Sequence, residues 1–457
     1  MFYKATHTAS GNMWDVWLWH HEDTYYLYSL CKSGKEWDNI SMARSPDGVH
    51  WVEIGPVLSK ASDVTWMGTG STWKNPVAGA KPAFQLNYSL WKGERQTIFF
   101  AQSDDLVNWT PCGPQQEFVQ DERWYERNGR WDCIWTMPRP EGGLYGYWTA
   151  TPKPGTGAVF GFGESVDGIT WKALEPPKVS AVGVDACEVG AIEKVGDRYF
   201  MLIGTHFKHV NGHMQVLVAD KPQGPFRQQT RNQYLLGGWT ILKGHWICDT
   251  QTYFARFFQS SSGLLVCHHA IERGYTDPFQ QVHVGLLKGT DIDADGTLRL
   301  TWWPGNEALK HQPVAVSSPN ASATGPILML DQTLDAEAGF LLEGTIELPR
   351  ALAAPRGLFI EHGKNTGAII QFYADGRAEL GVINVDGSGY ELERMVNRDR
   401  RFKRQNHFRL LLKGSLLEIY LEDFLMECFS LRAGATGRIG LVPGDKRNSI
   451  RALKAWK

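Results

Sequence analysis

Short apolar runs dominate the first 300 residues, and glycine or proline interrupts them every few positions. Tyr25-Tyr26-Leu27-Tyr28, Tyr199-Phe200-Met201-Leu202-Ile203 and Leu264-Leu265-Val266-Cys267 have the length and aromatic or β-branched content of strands. No 12-residue stretch keeps a clean 3.6-residue period, and 48 glycines with 22 prolines punctuate the chain. The pattern predicts an all-β protein.

A motif repeats within this pattern. Ser45-Pro46-Asp47-Gly48-Val49-His50-Trp51 returns as Ser103-Asp104-Asp105-Leu106-Val107-Asn108-Trp109 and as Ser165-Val166-Asp167-Gly168-Ile169-Thr170-Trp171, with starts 58 and 62 residues apart. A degenerate copy, Ala219-Asp220-Lys221-Pro222-Gln223-Gly224-Pro225-Phe226, follows 54 residues later. Asp-Gly and Asp-Asp form tight hairpin turns, after which the Trp enters an outer strand and packs between sheets. Repeats of this length built from short strands predict a five-bladed β-propeller, with blades near 12–55, 64–112, 130–175, 184–230 and 246–303. Beyond Trp303-Pro304-Gly305 the pattern changes. A polar connector over 306–325 precedes alternating strands such as Phe340-Leu341-Leu342-Glu343-Gly344-Thr345-Ile346 and Phe408-Arg409-Leu410-Leu411-Leu412, separated by turns at Asp375-Gly376, Asp386-Gly387 and Lys413-Gly414. The expected organisation is a propeller over 1–305, a linker over 306–325 and a two-sheet β-sandwich over 326–457.

An acid opens most of the repeats: Met13-Trp14-Asp15-Val16-Trp17, Trp131-Asp132-Cys133-Ile134-Trp135, Ala186-Cys187-Glu188-Val189-Gly190 and Ile247-Cys248-Asp249-Thr250. The second repeat opens instead on Trp66-Met67-Gly68-Thr69-Gly70-Ser71, whose small residues leave room for a ligand. Innermost propeller strands line a common axis, so acids at matched positions converge. Glycosidic bond hydrolysis needs such a set, with one carboxyl as acid and one as nucleophile or base. Mutual repulsion and partial burial hold one of them protonated. Asp15, Asp132 and Glu188 are the expected catalytic residues. Trp14, Trp17, Trp66, Thr69 and Trp131, with Asp249, Gln251 and Tyr253, are the expected substrate contacts. The plainer reading is that each acid merely hydrogen-bonds backbone at a blade entrance; three at matched positions beside tryptophans favour a site. His268-His269 reads as a pair of structural histidines. No metal-ligand spacing, phosphate loop, dinucleotide fingerprint or serine elbow occurs, so neither a metal nor a cofactor is expected.

Charge and composition narrow the partners. With 47 basic against 49 acidic residues, nothing draws the chain to nucleic acid or to an anionic membrane. The basic stretch Arg394 to Arg404 reads as a solvated loop. Aromatic residues make up 12% of the chain, more than a core requires, and their faces suit stacking against sugar rings. Seven cysteines in an odd, unspaced set, several within apolar runs, read as buried thiols in a reducing compartment. The N-terminus carries no secretory pattern and no window is apolar enough to span a bilayer, so a cytoplasmic location is expected. The expected partner is an oligosaccharide or small glycoside. A homo-oligomer is compatible with the sequence but nothing requires it.

These features together resemble the clan of five-bladed propeller glycosidases that includes glycoside hydrolase families 32, 68 and 43. The stretch Phe408 to Asp423, containing Lys413-Gly414-Ser415-Leu416-Leu417-Glu418-Ile419-Tyr420-Leu421-Glu422-Asp423, is similar to a sandwich segment of family 32. The resemblance implies Asp15 as nucleophile, Asp132 as transition-state stabiliser and Glu188 as acid/base in an exo-acting, retaining β-fructofuranosidase-like enzyme. The family has Arg immediately before its stabilising Asp; Trp131 stands there in this chain, which implies another furanoside or an unusual fructoside as substrate. An inverting arabinofuranosidase or xylosidase of the family 43 type, a sialidase and a non-catalytic sugar-binding propeller are the alternatives.

Overall fold

Each of the first four repeats folds into its own small sheet in a computed structural model of the chain. The structure describes all residues except 1, 7–11, 35, 182, 183, 185, 208, 209, 230–233, 237, 238, 243, 244, 249–251, 273–281, 318, 320–323 and 349–354. Blade 1 contains Asn12–His21, Thr24–Lys32, Asn39–Ser45 and Val52–Ser59; blade 3 contains Trp131–Pro138, Leu144–Ala150, Gly161–Ser165 and Trp171–Ala173. Blade 2 has a divided inner strand, Trp66–Met67 and Thr72–Lys74, backed by Phe84–Lys92, Arg95–Ser103 and Thr110–Pro111. Blade 4 runs from Cys187–Val195 through Arg198–Phe207 and Val210–Ala219 to Phe226–Gln228. Blade 5 runs from Thr252–Ser260 through Gly263–Ile271 and Lys288–Ile292 to Leu298–Trp302.

The repeated motif fixes the turn into each outer strand. In blade 1, Asp47 Oδ1 accepts the Ser45 hydroxyl at 2.9 Å and the backbone N–H groups of Val49 and His50 at 2.9 and 2.8 Å. Asp105 and Asp167 repeat this arrangement with Ser103 and Ser165. Burial would raise these carboxyls, but the converging donors outweigh it and hold Asp47 and Asp105 down to about 2. The aromatic that follows then joins neighbouring blades. Trp109 meets Tyr28 of blade 1, Trp171 meets Trp73 of blade 2, and Phe226 meets Phe160 of blade 3. Tyr25 of blade 1 packs on Phe258 and Trp303, joining the first blade to the last. A closed ring of this kind leaves few free strand edges.

The C-terminal region is a sandwich of two sheets. One sheet orders Phe424–Ser430, Leu416–Leu421, Gln405–Lys413, Phe340–Glu347, Ile450–Trp456 and Pro313–Val314; the other orders Glu391–Asn397, Arg377–Asn384, Thr366–Phe372, Arg356–Gly363, Arg438–Val442 and Leu328–Thr333. Alternate residues, among them Leu342, Ile346, Leu358, Ile360, Leu410 and Leu412, fill the space between the sheets. The sandwich is continuous with the propeller, because Thr301 of blade 5 pairs with Phe424.

Three sequence expectations change here. Ile247 and Cys248 do not open blade 5; they belong to a hairpin, Trp239–Leu242 with His245–Cys248, that pairs with the sandwich strand Glu391–Asn397. The connector begins as packed structure, with Asn306 and Leu309 buried and Pro313–Val314 joined to the C-terminal strand. Arg394 and Arg398 are not on a solvated loop but buried, because packing of one sheet on the other sets them against Glu427 and the Phe424–Ser430 strand. Among the described residues, Cys31, Cys133, Cys187, Cys267 and Cys428 are buried free thiols and Cys112 is partly exposed.

Candidate active site

All five inner strands are interrupted near one level of the propeller axis. The register shifts between Trp14 and Val16 in blade 1, Asp132 and Trp135 in blade 3, Val189 and Ala191 in blade 4, and Tyr253 and Arg256 in blade 5. In blade 2 the break spans Gly68 to Ser71. Asp15 (φ 40°), Cys133 (φ 56°) and Phe254 (φ 49°) take left-handed backbone at these points, a cost of roughly 1–3 kcal/mol each for residues other than glycine. Such bulges re-aim side chains and release backbone groups from their ladders. Neighbouring blades satisfy the released groups. Asn87 brackets Ile134, accepting its N–H at 2.9 Å and donating to its carbonyl at 3.0 Å. The Thr149 hydroxyl accepts the Val189 N–H at 3.0 Å, and Thr69 donates to the Asp15 carbonyl at 3.3 Å. Arg256, fully buried, donates to the Gly70 carbonyl and contacts Cys133 Sγ at 2.8 Å. Gly70 admits no side chain, since a Cβ there would lie 1.7 Å from the Asn87 carbonyl oxygen.

The interruptions surround a pocket of about 280 Å³ that Asp15, Asp132 and Glu188 line together, with Arg130 and Gln96 and the indoles of Trp14, Trp37, Trp66 and Trp91. Arg130 Nη2 lies 3.1 Å from Glu188 Oε1 and 3.5 Å from Asp132 Oδ2, one cation between two acids. Asp132 is also fixed from behind. Its Oδ1 accepts the Ser89 hydroxyl at 2.6 Å, Ser89 Oγ accepts from Gln96 Nε2 at 3.1 Å, and Gln96 Oε1 accepts the Trp131 N–H at 3.0 Å. Exposure grades the acids: the Asp132 side chain is 5% exposed and that of Glu188 18%. Asp15 Oδ1 is buried and has no hydrogen-bond partner among the described residues. Burial, then the charge of Glu188, pushes the Asp15 carboxyl well above the ordinary range against the opposing pull of Arg256. Burial also raises Asp132, although Arg130 and the Ser89 hydroxyl act the other way. Three carboxyls beside two guanidiniums favour a proton shared within the set.

No family profile and no curated protein sequence matches the chain. Solved structures do match. Fructan 1-exohydrolase IIa of Cichorium intybus, solved with 1-kestose, superimposes with a TM-score of 0.70 at 13% identity over 100% of this chain and 97% of that one. Sucrose-6-phosphate hydrolase of Lactobacillus gasseri gives 0.69 at 14% identity over 98% and 91%. The Bombyx mori GH32 β-fructofuranosidase BmSUC1, as a variant solved with sucrose, gives 0.69 at 12% identity over 98% and 91%. The chain has the glycoside hydrolase family 32 fold.

Within this family 32 fold the expected site residues separate into groups. Asp15, Asp132, Glu188, Trp14, Trp66 and Thr69 line one pocket. Trp14 also rests on the buried His269, their ring centroids 4.3 Å apart. Trp17 and Trp131, expected as substrate contacts, are instead core residues. Trp17 is 1% exposed, stacks on Tyr28 and donates to Thr72; Trp131 is 0% exposed and donates to the Phe118 carbonyl. Successive strand residues face opposite sides, so Trp131 turns away from the pocket that Asp132 faces. Asp249 and Gln251 lie outside the described residues, and Tyr253 belongs to the Thr252–Ser260 strand without a described side chain. Arg130 had no place in the sequence expectation, yet it sits two residues before Asp132 and therefore on the same strand face. Ser89, Gln96 and Arg256 were missed as well. Among the described residues no group of three His, Cys, Asp or Glu side chains could hold a metal ion.

Proposed function

We propose that the chain is an exo-acting, retaining glycosidase that removes a terminal furanose, related in mechanism to β-fructofuranosidases but with its own sugar specificity. One observation carries this reading: three acids from three blades share a single pocket of monosaccharide size with an arginine between two of them. Depth supports the division of roles. Glu188 is more exposed than Asp132, as suits a group that meets a leaving group open to solvent, and in this reading it protonates the glycosidic oxygen. Asp15, on its bulge, attacks the anomeric carbon as the C–O bond breaks, giving a furanosyl ester. Glu188 then takes a proton from water, which attacks the same carbon and frees Asp15. Asp132, fixed by Ser89, accepts hydrogen bonds from the sugar hydroxyls as positive charge develops on the ring. The glycosidic oxygen gives the shared proton its acceptor beside Glu188, while Arg256 favours the ionised Asp15.

The experiment is a panel of fructosides, arabinofuranosides and other furanosides with products followed by NMR. A single terminal furanose is expected, released with its starting anomeric configuration. Release with inverted configuration overturns the nucleophile assignment, and sugar binding without turnover overturns the enzyme. Arg130→Met provides a second check. Loss of its charge is expected to lower kcat/KM on the order of 10²–10³-fold. The acid limb of the pH profile should also move upward, since Arg130 opposes the rise of both Asp15 and Asp132.

A further inference from the structure

The propeller axis carries a second pocket at the mouth opposite Asp15. The inner strands run on past their breaks, and residues 18–20, 71–74, 135, 136, 193, 258 and 259, farther along those strands, line a cavity of about 390 Å³. It shares no residue with the sugar pocket. Gly70, Cys133 and Arg256, in contact with one another, stand at the intermediate positions. Every blade supplies a polar group to this cavity: Trp19, Lys74, Thr136, Glu193 and Gln259 in turn. Lys74 and Gln259 are exposed and stand at its opening, while Trp135 and Phe258 are nearly buried and give it an apolar wall. The Trp19 indole N–H is buried with no hydrogen-bond partner among the described residues. Gln259 Nε2 lies 3.5 Å from Glu193 Oε2, a long contact that leaves both groups with capacity to spare.

Charge and shape select the ligand. Burial raises the Glu193 carboxyl to about 7, opposed only by the Gln259 contact. Lys74 at the rim offsets its ionised form, and burial holds His20 below its ordinary value, so that side chain adds no charge at neutral pH. With one acid against one lysine, the cavity favours neither an anion nor a cation. What remains is a circle of hydrogen-bonding groups from five blades, set among indole and phenyl surfaces. That is the complement of a ring carrying several hydroxyls. The volume exceeds that of the sugar pocket, so such a ring fits with bridging water. Water alone satisfies the polar groups but not the apolar wall, from which a ring displaces it favourably. We propose that this far mouth binds a neutral monosaccharide, its hydroxyls held by Thr136, Glu193 and Gln259 beside Trp19. The site requires no part of the proposed turnover at Asp15.

Calorimetric titration with D-glucose, D-galactose, D-fructose, D-xylose and L-arabinose tests the site. At least one sugar is expected to bind, and Glu193→Leu should weaken that binding on the order of 10-fold or more. If that variant does not fold, Thr136→Val, a change of similar shape, should weaken it several-fold. Arg130→Met alters the other pocket and should leave this binding unchanged. Binding that is lost in Arg130→Met but kept in Glu193→Leu belongs beside Asp15 and overturns the inference, as does failure of every sugar to bind. Choline is the counter-probe. A site for organic cations would hold it more tightly as Glu193 ionises between about pH 6 and pH 8; choline binding of that kind overturns the neutral ligand. Furanoside turnover enters none of these readings, so failure of the second site and failure of the proposed glycosidase are distinguishable.

Discussion

Asp15→Asn is expected to reduce kcat on the best furanoside by on the order of 10⁴-fold or more, because the amide cannot form the covalent ester. The same substitution should stabilise the fold. In the native protein a buried carboxyl oxygen with no hydrogen-bond partner among the described residues shares the pocket with Glu188 and Asp132, and its ionised form is disfavoured. An amide of the same shape removes that charge, a change worth on the order of 1–2 kcal/mol, as is common where activity and stability conflict. The pH dependence has a definite sign. A carboxyl whose folded-state pKa is raised favours the fold below the ordinary value of 3.8 and loses that contribution as pH rises through the folded-state value. The advantage of Asp15→Asn should therefore be small near pH 4 and grow toward neutrality. Thermal scans of both proteins across that range check it. Full activity in the variant would remove Asp15 as nucleophile; a constant stability difference would remove the account of its environment.

The propeller was legible in the sequence because its repeats carry their own turn chemistry. Ser45, Asp47 and Trp51 recur at fixed offsets, and in the fold each Ser-Asp pair closes the turn before an outer strand. The convergence of residues 15, 132 and 188 followed from that repeat. What was not legible depended on conformation at single residues. The break at Asp15 is a left-handed backbone angle at an aspartate, which no alternation of apolar and polar positions announces. Other signals were present and went unused. Arg130, just before the Trp131–Pro138 strand, and Asp132 within it are two apart in extended chain, which places them on one face and Trp131 on the other. Gln85, Asn87 and Ser89 alternate through an apolar strand and form its buried polar face, where Asn87 holds the break and Ser89 holds Asp132. A lone Arg256 within Phe254-Ala255-Arg256-Phe257-Phe258 marked a buried cation in the same way. The hairpin at 239–248 could not be placed, because its partner is a sandwich strand about 150 residues away, and local pattern carries no information about such pairing.

Substitution of Glu418 is expected to cost more stability than change at any other single site discussed here. Glu418 lies in the segment that resembles the family 32 sandwich, and the fold places it where the sandwich meets blade 5. Its Oε1 accepts Lys288 Nζ at 2.8 Å and the Leu286 N–H at 3.2 Å, while Oε2 accepts the Tyr420 hydroxyl at 2.6 Å. Lys288 completes its three donor bonds with His268 Nε2 at 2.7 Å and the Leu286 carbonyl at 2.9 Å. His268 Nδ1, 3.1 Å from the His269 carbonyl, carries the proton, so the imidazole is neutral and its Nε2 accepts from Lys288. Burial alone would raise the Glu418 carboxyl, but Lys288 and the surrounding hydrogen bonds hold it down to about 2. Glu418→Ala leaves the Lys288 ammonium buried without its counter-charge, a loss of about 3–5 kcal/mol. Restoring an apolar junction with Lys288→Met in the same chain should recover much of that loss, which a general packing defect at position 418 would not allow. The native contribution of Glu418 is fully present above its ordinary value of 4.5 and disappears as pH falls through about 2. Urea unfolding of the two single variants and the double variant at pH 7 measures the coupling. Additive losses would mean that the buried pair does not join propeller to sandwich.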